Sequence, residues 1–264
     1  MASTGEIVAV VGDWHGNANW ATGRLMSLGK RGVKTVLHAG DFGIWPGSSG
    51  KKYLLGLEKV CARFGSTLYI TAGNHEDWPR LLAERPEQRD EFGPLLWLSE
   101  HIAVFPRDPA GHRFEIGDRT FVSLGGAPSI DFEDRSLGSD WWLEEMIPRE
   151  TAERVAAGGV RRRDAHPRRP EPSLAGAACR TDLRHHPLGW SREALSYAAV
   201  GRNRLTTAFL GVQPRLLVHG HYHVGDEAII DLPDRDHDCR ILSLGCDEMD
   251  DNIALLDLRT LERA

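Results

Sequence analysis

Ile7-Val8-Ala9-Val10-Val11-Gly12-Asp13-Trp14-His15-Gly16-Asn17 is the stretch from which the fold is read. Its five apolar residues predict a buried strand. The strand ends abruptly in Gly-Asp-x-His-Gly, which pushes a carboxylate and an imidazole into one loop. Two residues apart in an extended segment, Asp13 and His15 point to the same side and can reach one metal ion.

The same arrangement recurs downstream. Residues 19–30 predict a helix with Trp20, Leu25 and Leu28 as its apolar stripe, ended by Gly29 and Gly32. Val33 to Ala39 predicts a second strand, followed by Gly40-Asp41-Phe42-Gly43. Leu54, Leu55, Leu57, Val60 and Cys61 carry helical spacing within 51–64. Thr67 to Ala72 predicts a third strand, followed by Gly73-Asn74-His75-Glu76. Strands alternating with helices imply a parallel sheet with right-handed crossovers. In such sheets ligands gather beyond the carboxyl ends of the strands, where all three polar motifs lie.

From about residue 101 the texture changes. Short strands at 102–105, 113–116 and 120–124 with intervening turns predict antiparallel hairpins. Residues 140–157 predict a helix starting at Asp140, and 191–211 another with Ser191 as its N-cap. Leu216–Val218 predicts a strand leading into His219-Gly220-His221-Tyr222-His223, and strands follow at 227–231, 239–244 and 252–258. The stretch 160–186 is rich in Arg and Pro and lacks an apolar period, which predicts an exposed loop.

The bulk composition fits an ordinary globular protein: 264 residues, 41% hydrophobic, 27% charged and a net charge of −6, which argues against a nucleic-acid coat. Cys61, Cys179, Cys239 and Cys246 show no C-x-x-C spacing, and reduced thiols in a cytoplasm are the expectation. Neither a secretory signal nor a membrane span is read from the sequence.

The ligand-type residues fall after strands: Asp13 and His15, then Asp41, then Asn74 and His75, then His221 and His223. Singly, Asp13 or Asn74 reads as a helix cap and Gly40-Asp41 as a turn. His219, after an apolar strand, reads as core or as support for the ligands. Jointly, carboxylate, imidazole and amide oxygen suit Mn, Fe, Zn or Ni. The set exceeds the needs of one ion. Two divalent ions sharing Asp41, roughly 3.5–4 Å apart, would clamp a displacement at phosphorus.

Asp-x-His, Gly-Asp, Gly-Asn-His-Glu and Gly-His-x-His, in that order over residues 7–223, resemble the calcineurin-like metallophosphoesterase family. The resemblance implies an α/β fold, a four-layer αββα sandwich with mixed sheets, here a single domain over 1–264. It implies that Asp13, His15, Asp41 and His223 hold one ion, and Asp41, Asn74, His221 and a further histidine the other. His75 would sit over the phosphate and stabilise or protonate the leaving oxygen, with a metal-bridging hydroxide as nucleophile. An unperturbed histidine titrates suitably for general acid work.

Two departures stand out. Gly40-Asp41-Phe42-Gly43 lacks the Asp-Arg-Gly extension of the Ser/Thr phosphatase branch, so its phosphate-clamping arginine has no match. The expected apolar-apolar-Thr-His strand between about 155 and 190 does not read cleanly. His166 is best placed to be the further ligand, and His186 is the rival. Arg162 to His166 can be encoded CGT CGT GAC GCA CAC, and dropping one base gives Val-Val-Thr-His. Resequencing the gene through this segment tests whether 160–186 is a local frame shift.

Trp14, Trp45, Trp141 and Trp142 lie near the motifs. Trp142 is assigned to the core, and Trp45, beside Asp41, to the substrate pocket. The expectation is a cytoplasmic phosphodiesterase or phosphatase acting on small nucleotide-type phosphoesters. The alternatives are a nuclease or broad phosphatase, or a binding-only relative short of one ligand.

Overall fold

The computed structural model describes residues 6–158, 189–232 and 236–264. An eight-stranded sheet forms from β1 (Ile7–Val11), β2 (Thr35–Ala39), β3 (Thr67–Thr71), β4 (Glu87–Gln88), β5 (Pro94–Trp97), β6 (Ile102–Val104), β12 (Ile253–Asp257) and β13 (Glu262–Arg263). Its order is β13-β12-β1-β2-β3-β6-β5-β4. β1, β2, β3 and β6 run parallel, and β12 and β5 flank them antiparallel.

β1 shows why its sequence carries no polar alternation. Ala9 and Val11 face a core shared with Leu25 and Leu28 of α1 (Ala18–Lys30) and Leu57 and Cys61 of α2 (Gly47–Phe64). Val8 and Val10 face the opposite way, into a second core. A strand covered on both faces is apolar throughout. Asn17 closes the opening motif and also caps α1, accepting from Trp20 N at 3.1 Å.

The second core is roofed by β9 (Leu216–His219), β10 (Asp226–Ile230) and β11 (Cys239–Ser243), ordered β10-β11-β9, and by the hairpin of β7 (His112–Ile116) and β8 (Arg119–Ser123). Phe114, Ile116, Leu242 and Leu244 meet Val8, Val10 and Leu256 there. On the far side of this second layer Phe209 packs with Cys239 and Ile241. Phe209 belongs to α5 (Arg192–Val212), which packs on α4 (Arg149–Ala157). The layers are therefore α1 and α2, sheet, sheet, α4 and α5: the αββα sandwich. β8 and β9 both border a cavity of about 210 Å³, lined also by α4 and α5 residues such as Val155 and Leu205.

Three expectations change. The helix expected over 140–157 is α-helical only from Arg149: Leu143–Glu145 is a single 3₁₀ turn, and Pro148 is extended at φ −61° and ψ 144°. Proline lacks the N–H and forces its predecessor out of the helical region, so the helix starts after it. β6 does not join a hairpin with β7 but extends the parallel sheet beside β3. The short α3 (Trp78–Ala83), with Asp77 as its cap, goes unread in the sequence. Among the described residues no helix is long and apolar enough to cross a membrane.

Candidate metal centre

The four polar motifs follow β1, β2, β3 and β9 at their carboxyl ends. The first two loops pair through their backbones: Asp13 N donates to Gly40 O at 3.0 Å, His15 N to Asp41 O at 2.9 Å and Gly16 N to Phe42 O at 3.0 Å. Glu76, fully buried, joins the second loop to the third by accepting from Phe42 N (2.6 Å), Gly43 N (3.1 Å) and Gly73 N (2.7 Å). Burial, with Asp41 nearby, pushes its carboxyl up to about 8. Asp41 Oδ1 accepts from Asn74 N at 2.8 Å, and Asp13 Oδ2 from His221 N at 2.6 Å.

The backbone is strained where the ligands stand. Asp13, His15, Asp41, His221 and His223 all adopt left-handed φ, between 45° and 75°. Side-chain-bearing residues rarely take this conformation, and such strain clusters at functional sites. Two neighbours must be glycine for another reason. A Cβ on Gly73 would collide with Asp41 Oδ1, and one on Gly220 with Asp13 Oδ1.

The donor set fits cations. Among the described residues, Asp13 Oδ1 and His15 Nε2 are buried without a hydrogen-bond partner. Ligand atoms of His15, Asp41 and His223 lie within 4.8 Å of one another. The inner amide atom of Asn74 stands 2.9 Å from His221 Nδ1 and 3.1 Å from both Asp41 oxygens. Its outer atom faces Ser129 Oγ at 2.9 Å, and Ser129 Oγ lies 2.7 Å from Glu145 Oε2. When Glu145 is ionised, Ser129 donates to it and must accept from Asn74 Nδ2. The amide oxygen then points inward at both oxygens of the Asp41 carboxylate, and the His221 tautomer that leaves Nδ1 without a proton adds a third acceptor. A cation resolves that repulsion.

Protonation agrees. Burial, reinforced by the Asp41 charge, raises the Asp13 carboxyl well above the ordinary carboxylate value. Burial alone would also raise Asp41, but His75, His221 and His15 outweigh it and hold that carboxyl low. Burial lowers His221 to about 4 and His38 to about 3, so both are neutral at pH 7. Neutral imidazole is the ligand form.

His75 stands with Nε2 3.8 Å from Asp41 Oδ2. The Arg135 guanidinium lies along its ring, Nη1 2.8 Å from Nδ1 and Nη2 3.1 Å from Nε2. Burial first, and Arg135 among further causes, hold His75 below the ordinary histidine value. A lowered value favours the uncharged ring at neutral pH.

His15, Asp41, Asn74, His75, His221 and His223 all line one cavity of about 500 Å³. Asp13 lies beneath it, fully buried. Trp45 does not line this cavity. Its ring packs against Gly16, and among the described residues Trp190 and Tyr222 are the Trp and Tyr side chains that line the cavity. Trp142 is core, as expected. His166 and His186 lie outside the described residues, as does the whole 160–186 stretch.

Several supports were not read from the sequence. Asp247 Oδ1 lies 2.9 Å from His15 Nδ1, and its Oδ2 accepts from Asn17 Nδ2 at 2.8 Å. This fixes the tautomer that leaves His15 Nε2 facing the site. Asp247 follows β11, so the strand-end rule that found the other motifs also points to it. Ser129, Glu145 and Arg135 carry no such signal. They come from the long loop after β8.

Comparison with known proteins gives a consistent picture. The family model for calcineurin-like phosphoesterases matches residues 7–225. No curated protein matches the chain. Among solved structures, a dimetal phosphatase from Danio rerio is similar at 11% sequence identity, covering 97% of this chain and 93% of that one, with a TM-score of 0.50.

Proposed function

The chain belongs to the calcineurin-like phosphoesterase family, a family of metal-dependent phosphoester hydrolases with a dinuclear divalent-metal site, and from that premise we propose that its substrates are small nucleotide-type phosphoesters. Asp13, His15, Asp41 and His223 hold one ion in this reading, and Asp41, Asn74 and His221 the other. The observation that carries it is the approach of the Asn74 amide to the Asp41 carboxylate and His221 Nδ1, beside Asp13 Oδ1 and His15 Nε2, which are buried without a hydrogen-bond partner among the described residues.

When bound, two divalent ions lower the pKa of water and neutralise phosphate oxygens. The chain's own residues do the rest. Asp41 sits between the two ligand groups and sets their separation. Asp247 orients His15, and Ser129 with Glu145 orients Asn74. His75, neutral and held by Arg135, directs a ring nitrogen at the leaving oxygen and hydrogen-bonds to it as charge develops. Trp190 and Tyr222 offer aromatic faces for a base.

Metal content and a phosphoester panel, measured on one sample with Mn²⁺, test the reading. Turnover of bis-p-nitrophenyl or p-nitrophenyl phosphate, lost in Asp41→Ala and reduced in His75→Ala, supports it. Absence of turnover with every divalent metal, together with less than one ion per chain, supports the binding-only alternative instead.

A further inference from the structure

The cavity has a cationic wall that the metal centre does not use. Arg135 follows a 3₁₀ turn at Phe132–Asp134, and several contacts fix its guanidinium. Nη2 pairs with Asp131 Oδ2 at 2.7 Å, Nη1 donates to Asp140 O at 3.3 Å, and both Nη atoms lie against His75. Its Nε is buried without a partner among the described residues. Arg202, on α5, lines the same cavity and has no ion pair among the described residues. Among the described residues lining the cavity, Asp131 is the one carboxylate besides the ligand Asp41, so two guanidinium groups stand against one further anion. The order along the cavity is Asp41, His75, Arg135, so the wall begins where the ligand cluster stops.

We propose that Arg135 and Arg202 form an anion subsite beyond His75 that selects phosphoanhydride substrates, in which a second phosphate adjoins the one hydrolysed. The inference rests on the substrate class proposed above and narrows it. A simple alkyl or aryl leaving group has no charge for this wall to meet. A leaving phosphate carries charge that two guanidinium groups are suited to hold, and arginine is the side chain whose fork matches phosphate oxygens. Hydrolysis adds the oxygen of water to the attacked phosphorus. The electron pair of the broken P–O bond leaves on an oxygen of the second phosphate, and the two protons of water are shared between the products and solvent. Asp131 pre-positions Arg135, so little side-chain ordering remains at the moment of binding. The same wall supplies the phosphate-facing arginine that the Gly40-Asp41-Phe42-Gly43 motif lacks, from a different part of the chain.

Calorimetric binding of methylenediphosphonate and of methylphosphonate, at one fixed free Mn²⁺ concentration, reads the subsite without turnover. The expected result is that wild type prefers the diphosphonate by at least about tenfold, the effect of one charge-assisted hydrogen bond. Arg135→Ala and Arg202→Ala should each bring that ratio towards one, and Arg135→Lys should fall between. Circular dichroism checks folding, and Arg202→Ala, on a helix surface, keeps the test alive if Arg135→Ala does not fold. A wild-type ratio near one, or a ratio that neither alanine variant changes, overturns the proposal. Turnover of bis-p-nitrophenyl phosphate on the same samples reports separately on the hydrolase assignment: binding preference without turnover leaves the subsite standing, and turnover without preference removes the subsite alone.

Discussion

Asp247 offers the sharpest test of how the centre is built, because it touches no substrate and is invisible to the motif pattern. Its carboxylate holds His15 Nδ1 at 2.9 Å and Asn17 Nδ2 at 2.8 Å. Hydrogen bonds to a charged group contribute about 1.5–3 kcal/mol. The two side chains are 23% and 21% exposed, so solvent screens the pair and the lower half of that range applies. Asp247→Ala is therefore expected to weaken Mn²⁺ binding at the His15 site by about 10–40-fold, since about 1.4 kcal/mol is tenfold. Asp247→Asn keeps an acceptor of the same shape and should lose less, about 3–10-fold. The hydrogen bonds from His15 and Asn17 outweigh partial burial and hold the Asp247 carboxyl below its ordinary value. Its contribution is thus present throughout neutral pH and is lost only as pH falls through that lowered value. Calorimetric titration of metal into apo-protein at pH 7 measures the effect, with thermal unfolding as a control for the fold. An Asp247→Ala dissociation constant within twofold of wild type would refute the orienting role.

His75→Ala should lower kcat by about 10²–10⁴ with metal content unchanged, because the ring acts on the leaving oxygen and is not a ligand; loss of bound metal would contradict that assignment. Gly73→Ala drives a Cβ into Asp41 Oδ1, so the variant should bind fewer ions per chain and lose about 1–3 kcal/mol of stability, seen by metal analysis and urea unfolding. Burial pushes the Glu145 carboxyl up to about 7 from an ordinary 4.5. A raised folded-state value means that its stabilising share is complete below about pH 4.5 and is lost as pH rises through about 7. Metal-free protein should lose up to about 3 kcal/mol from this group between pH 5 and 8, and Glu145→Gln should flatten that slope; equal slopes in urea unfolding would argue otherwise.

The sequence made the first sheet and most of the centre legible for one physical reason. A parallel strand covered on both faces reads as an apolar run, and the chain leaves it abruptly into the loop where ligands gather. Asp13, His15, Asp41, Asn74, His75, His221 and His223 all follow from that rule, and so would Asp247 after β11. What stayed hidden lies away from strand ends. Ser129, Arg135 and Glu145 sit in an irregular loop whose path is set by Pro148, by the Phe132–Asp134 turn and by contacts made 16 to 60 residues away. Trp45 is near Asp41 in sequence but does not line the 500 Å³ cavity: its ring lies over Gly16, where the missing Cβ makes room for it.

The second layer shows the limit of the strand rule most clearly. β9 pairs on one side with β11 and β8 pairs on one side with β7, and their other edges border the same 210 Å³ cavity, which reaches up to Asp13, Asn74 and His221. Its walls are Val122, Leu205, Phe209, Leu217 and their apolar neighbours. Among the described residues neither of these edges has a second partner strand; such an edge is a template for an added strand, and one placed parallel to β9 would end, as β9 does, at the ligand loops. Arg161-Arg162-Arg163-Asp164-Ala165-His166 is the wrong chemistry for such a space, since each buried charge there would go without a partner. Val-Val-Thr-His, the alternative-frame reading of four of those positions, is the right chemistry: three residues suited to a strand and an imidazole at its carboxyl end. Resequencing the gene through 160–186 decides between the two chemistries: a frame that encodes an apolar-Thr-His peptide supports the frame shift, and the lack of one refutes it.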